Sequence, residues 1–186
     1  MVSLSDLWLI ILAAAALSWI GSAIVWMVLP HHRSDYAALP REDDTIDSLR
    51  GVAPGFYNFP HCKTWEEFKQ EEVRDKFRQG PVGYITVVKP GLPPMGRNMV
   101  MQVLYFLVTG VLIAYIVGRA LPAGADYMSV FRLSGAVAWA AYGFAIIPEG
   151  IWYGRPWSNV IKFLADALFY ALLTAGVFGW LWPAAV

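Results

Sequence analysis

Hydrophobic positions in this chain fall in long unbroken runs. No side chain is charged from Leu7 to Pro30, and none from Asn98 to Gly118. A helix of about 20 apolar residues crosses the hydrocarbon core of a bilayer, so each run predicts a transmembrane helix. The first covers about 7–29 and stops at Pro30; the second covers about 98–118. A third, over about 128–148, carries Arg132 near its start and ends at Pro148. It spans if the Arg132 side chain reaches back to the interface. A fourth, over about 159–182, carries Lys162 and Asp166 in its first turns and stops at Pro183. The fold class expected is an all-α membrane protein with four transmembrane helices.

Between the first two helices lies a polar segment, residues 30–97, whose pattern changes along its length. Thr64-Trp65-Glu66-Glu67 is a capping-box pattern, with Thr at the N-cap and Glu three residues on. It predicts an amphipathic helix over about 65–78, with Trp65, Phe68, Val73 and Phe77 roughly on one side. Gly80-Pro81 ends it. Tyr84-Ile85-Thr86-Val87-Val88 predicts a short strand. Pro90, Pro93 and Pro94 stiffen the approach to the second helix. The domain organisation expected is therefore the first helix (1–29), a loop of mixed structure (30–97) and a three-helix membrane segment (98–186).

Composition agrees. The chain is 58% hydrophobic and 15% charged, against roughly 45–50% and about 25% in soluble domains. Formal net charge is zero, which gives no basic footprint for nucleic acid. The lone Cys62 rules out an intrachain disulfide. The chain starts with no Lys or Arg and with Asp6, and its first apolar run is long for a secretory leader, so the first helix is expected to be retained. Of the fourteen Lys and Arg residues, only Arg119 and Arg132 lie on the side opposite the loop. By the positive-inside rule this puts the long loop in the cytoplasm and both termini outside. Trp8, Trp180 and Trp182 would form the outer aromatic belt, and Trp26, Trp152 and Trp157 the inner one.

Lipid tails are as apolar as Leu, so membrane helices associate through small residues that let backbones approach. The fourth helix carries such a stripe at Ala167, Ala171, Ala175 and Gly179, and the second at Gly110, Ala114 and Gly118. The pattern favours assembly of the bundle itself over oligomerisation or partner docking.

Asp166 is the one acidic residue well inside an apolar helix, and an intramembrane carboxylate is a candidate ion or proton site. It lies about 6 Å along the helix from Lys162 at 1.5 Å per residue, and the (i, i+4) spacing places the two on one face. A structural Lys162–Asp166 pair is the favoured reading, with an ion role as the alternative. Arg33, Arg155, Trp157 and Lys162 gather basic and aromatic groups at the inner interface, where they could hold an anionic lipid head group or serve as ordinary interfacial anchors. His31, His32, His61 and Cys62 all fall in the loop. Adjacent histidines seldom share an ion and no C-x-x-C or H-x-x-x-H occurs, so no metal is assigned; His31, His61 and Cys62 are the weak candidates. No histidine lies within a helix span, which argues against a haem inside the bundle. No nucleophile elbow, phosphate loop or metalloprotease motif is present, and neither an enzyme nor a cofactor is expected.

His31-His32-Arg33-Ser34-Asp35-Tyr36, Phe59-Pro60-His61, Gly80-Pro81-Val82-Gly83, Trp152-Tyr153-Gly154-Arg155-Pro156-Trp157 and Phe178-Gly179-Trp180-Leu181-Trp182-Pro183 together resemble a family of small bacterial four-helix inner-membrane proteins of unknown function. That resemblance implies a free-standing bacterial membrane protein without a large catalytic domain, and it brings no functional residues. The expected role is a non-catalytic accessory or assembly subunit of a larger inner-membrane complex. The alternative is a small homo-oligomeric transporter or channel using Asp166. Expected partners are membrane lipids and other membrane subunits, or further copies of the chain.

Overall fold

Four helices are long and apolar enough to cross a membrane in the computed structural model, which describes residues 1–185. Helix α1 (Trp8–Met27) is followed by a 3-10 turn, His31–Ser34. Three short helices follow in the loop: α2 (Glu42–Ser48), α3 (Trp65–Lys69) and α4 (Glu71–Gln79). Then come α5 (Met95–Ala120) and α6 (Tyr127–Gly143), the short α7 (Ile147–Trp152), and α8 (Trp157–Leu181). The chain divides into two compact units, one built mainly from the long helices and one from residues 36–93 with 152–154.

In the helical unit α1 packs on α5 and α8, and α6 packs on α5 and α8, which closes a four-helix ring. Its core joins Ile10, Ile11 and Ala14 of α1 to Ile113, Ala114 and Val117 of α5, with Ala138 of α6 and Ala171 and Phe178 of α8. The small-residue stripes face inward, as expected. Ala167, Ala171 and Ala175 are at most 3% exposed. A Cβ on Gly143 would sit 2.8 Å from Ala167 Cβ, and one on Gly179 2.7 Å from a Tyr127 ring carbon. A Cβ on Gly118 would sit 2.8 Å from the Val2 carbonyl oxygen. These contacts are what close backbone approach requires in lipid. Hydroxyls add a buried polar thread: Ser18 Oγ lies 3.0 Å and Tyr142 Oη 3.2 Å from Thr174 Oγ1.

Helix α1 falls inside its uncharged run, but the later spans are longer than theirs. The second starts straight after Pro94 and takes in Arg97 and Arg119. The third does not run unbroken to Pro148: α6 ends at Gly143, a 3-10 turn covers Phe144–Ile146, and α7 restarts with Pro148 in its first turn. Proline has no N–H to give the carbonyl four residues back but fits a first turn, so the break falls just before it.

In the loop unit an antiparallel hairpin pairs β1 (Gly55–Phe59) with β2 (Gly83–Val87), in register from Gly55 opposite Val87 to Phe59 opposite Gly83. The strand over 84–88 was expected; its partner was not. Thr64 caps α3 by accepting from Glu67 N–H at 3.1 Å, while Glu67 Oε2 accepts from the Lys63 N–H at 2.7 Å. The single helix expected over 65–78 is two helices, broken at Gln70, whose backbone is extended. The Gln70 carbonyl accepts from the Val73 and Arg74 N–H groups and restarts the helix. The break lets Phe77 meet Phe68 edge-on, ring centroids 5.4 Å apart, with Trp65 stacked on Phe68 beyond.

Candidate cation site at the end of helix one

The 3-10 turn after α1 and the first turns of α8 bring five charged or titratable side chains together. Asp166, 7% exposed, receives two imidazoles: His31 Nε2 lies 3.0 Å from one carboxylate oxygen and His32 Nε2 2.6 Å from the other. The other nitrogen of His32, Nδ1, lies 2.6 Å from Asp35 Oδ2. Lys162 Nζ donates to Asp35 Oδ1 at 2.7 Å, to the His31 carbonyl at 2.6 Å and to Ser34 Oγ at 2.9 Å. Asn159 Nδ2 donates to the Asp35 carbonyl at 3.3 Å. Aromatic rings enclose the group. Trp26 stacks on His32 with ring centroids 4.0 Å apart and 3° between planes, and Phe163 meets both edge-on.

The Lys162–Asp166 pair expected from spacing does not form; Lys162 pairs with Asp35. Side chains on a helix tilt toward its N-terminus, so Lys162 leans away from Asp166 and toward the 31–34 turn. A cation N-terminal to its anion is also the poorer (i, i+4) order. Hydrogen bonding from Lys162, then from His32, holds the Asp35 carboxyl below the usual carboxylate range.

Charge counting defines the chemistry. With both carboxylates ionised, Lys162 charged and the imidazoles neutral, the group carries one excess negative charge. His32 shows the same deficit locally. Each of its ring nitrogens faces a carboxylate oxygen at 2.6 Å, yet a neutral imidazole has only one N–H to donate. One further positive charge, from a proton or an ion, would balance the cluster in that state. Asp166 also lines an open cleft of about 420 Å³. Among the other residues of that cleft are Trp26 and Tyr170, and the buried Tyr170 hydroxyl has no hydrogen-bond partner among the described residues.

The other sequence candidates fall elsewhere. His61 belongs to the loop unit, where its Nδ1 lies 2.8 Å from Asn58 Oδ1, and Cys62 is a free thiol in the same unit. Among the described residues the converging donors are His31, His32 and Asp166, and of the weak metal candidates only His31 is one of them. Of the head-group candidates, Lys162 is already committed to Asp35. Arg33 is exposed, Trp157 is 55% exposed, and Arg155 lies over the Phe163 ring at 5.5 Å. Sequence reasoning set His32 aside as the neighbour of another histidine and passed over Asp35. The signal for them was the local string His31-His32-Arg33-Ser34-Asp35 at a helix end.

No protein-family model, curated protein or solved structure matches this chain. Fold and site together define a class only, a helical protein with four membrane-length helices and a partly buried His-His-Asp cluster at one end of the bundle.

Proposed function

We propose that this chain is a non-catalytic, multi-pass membrane protein that binds a small cation at the end of its bundle where α1 ends. Asp166 is the principal acceptor and the cleft beside it the route of entry. The observation that carries this reading is Asp166 itself, a buried carboxylate engaged by two imidazoles and facing an open cleft. A bundle that needed only to be stable would gain little from this arrangement, because well-packed apolar groups usually replace buried ion pairs at no loss. Intramembrane ionisable groups instead mark ion and proton sites.

The small-residue stripes are used within the bundle and so lend no support to an accessory-subunit role. Residence in a bacterial inner membrane, with the loop cytoplasmic and both termini outside, belongs to this proposal and rests on the Lys and Arg distribution. The test is equilibrium dialysis of the detergent-solubilised full chain against monovalent and divalent cations, with proton uptake followed in parallel. Wild type should take up one cation or proton per chain, and Asp166→Asn none, at unchanged helicity. Equal uptake by Asp166→Asn would overturn the proposal.

A further inference from the structure

We propose that His31, His32 and Asp166 form a site for a divalent first-row transition-metal ion, an inference that rests on the cation-binding reading above and names the cation. One nitrogen from each histidine and one oxygen from Asp166 all lie within 4.8 Å of one another. Two imidazoles and a carboxylate are a ligand set for Zn²⁺ and for Fe²⁺-like ions, not for Mg²⁺ or Ca²⁺, which take oxygen. Bonds of 2.0–2.1 Å at tetrahedral angles would place donor atoms roughly 3.3 Å apart. The observed His31–Asp166 and His32–Asp166 separations, 3.0 and 2.6 Å, are to different carboxylate oxygens, so an ion enters by turning the carboxylate and adjusting the donors, which lie within 4.8 Å of one another, to that spacing. The objection to adjacent histidines also falls away. Their rings lie 4.1 Å apart, tilted by 41°, with both Nε2 atoms aimed at one carboxylate.

The surroundings hold these donors as a metal site's outer shell does. A ligating histidine usually gives its other ring N–H to a carboxylate, which fixes the tautomer and raises the basicity of the ligating nitrogen. Asp35 does this for His32 at 2.6 Å. Lys162 fixes Asp35 and, through the His31 carbonyl, the turn itself. Trp26 clamps the plane of the His32 ring. The remaining coordination position would be filled from the cleft that Asp166 lines, by water or a small anion. That position follows from the ligand count, since three protein ligands leave one of four open.

The test uses the full chain purified in mild detergent, stripped with chelator and titrated separately with Mn²⁺, Co²⁺, Ni²⁺ and Zn²⁺ against a chromophoric competitor. One ion per chain is expected, with affinity rising from Mn²⁺ to Ni²⁺ in the usual order, and Co²⁺ should give the visible absorption of a nitrogen–oxygen site. His32→Ala and Asp166→Asn should each weaken binding by more than about 100-fold, and Asp35→Asn by about 10–100-fold, the range for an outer-shell partner. His61→Ala should change nothing. If His32→Ala does not fold, His31→Gln and the wild-type Co²⁺ spectrum carry the test. Absence of binding by all four metals overturns the metal assignment, as does binding that survives both Asp166→Asn and His31→Gln. If Asp166-dependent uptake of a proton or monovalent ion persists in that case, the broader cation reading stands alone; if it is absent too, both fail.

Discussion

Replacing Lys162 by Met removes an ammonium that makes three hydrogen bonds, one of them to a carboxylate whose side chain is 2% exposed. At 2.7 Å the gross attraction is about 6 kcal/mol for an effective dielectric constant near 20. Desolvation cancels much of it, but stranding the buried Asp35 charge costs about 3–5 kcal/mol. Lys162→Met should therefore destabilise the bundle by about that amount. Asp35→Asn combined with it should cost far less than the sum of the two single changes, a coupling of about 2–3 kcal/mol. Lys162→Met combined with Asp166→Asn should couple by less than about 1 kcal/mol, since the two groups are not in contact and communicate only through the 31–35 turn. The assay is reversible unfolding of a double-mutant cycle in mixed micelles, followed by far-ultraviolet circular dichroism. A larger coupling to Asp166 than to Asp35 would refute the network and restore the pair that helical spacing suggested.

Other parts of the fold make separate predictions. Thr174→Val removes the acceptor and donor shared by Ser18 and Tyr142 and should cost about 0.6–1.7 kcal/mol, from the average to the largest value for interhelical hydrogen bonds in membranes, in the same unfolding assay. Gly179→Val should cost about 1–3 kcal/mol, because its Cβ would meet the Tyr127 ring at 2.7 Å; an unchanged midpoint would show that α6 and α8 are not this close. The Asp126 carboxyl, which caps α6 through the hydroxyl and N–H of Ser129, is held below its ordinary pKa by those bonds. Its contribution is complete above about pH 3.9, the unfolded carboxylate value, and is lost as pH falls through the depressed folded value. Amide protection at Ser129 should therefore fall on strong acidification and stay flat in Asp126→Asn. Cys62 should resist a membrane-impermeant thiol reagent in intact cells and react after lysis; labelling before lysis would reverse the orientation.

The four spans were legible because each is a local statement, a run of apolar residues with a proline or polar stop. The inward stripes were legible for the same reason: a four-residue repeat of Ala and Gly fixes which face can be approached closely. The break before Pro148 was half legible. The proline was plain, but a helix can end at it or restart around it, and only packing against α8 chooses. The first strand of the hairpin, Gly55-Phe56-Tyr57-Asn58-Phe59, was missed because it is short and shows no clean alternation. The split at Gln70 was missed because propensity there favours helix throughout, while the Phe68–Phe77 contact that rewards a break lies nine residues away.

The cluster shows why a site can be written in a sequence and still be read wrongly. His32 and Asp166 are 134 residues apart, so no spacing rule connects them, whereas Lys162 and Asp166 are four apart and one such rule connects them at once. Local rules rank contacts by the entropy of bringing groups together, and by that measure the (i, i+4) pair should win. It loses because the bundle has already met the cost of joining α1 to α8 through their small-residue and aromatic contacts. Once Ser18 meets Thr174, the turn after α1 is delivered to the first turns of α8 with little further ordering. Each polar group there then takes its best available partner. Lys162 takes Asp35, which leaves Asp166 to the two imidazoles. The same network predicts that the site answers to Lys162, which touches none of its proposed ligand atoms. Removing that ammonium frees Asp35, and with it the tautomer of His32, so Lys162→Met should weaken metal binding as well as the fold, while Arg155→Met, which alters only the contact over Phe163, should not.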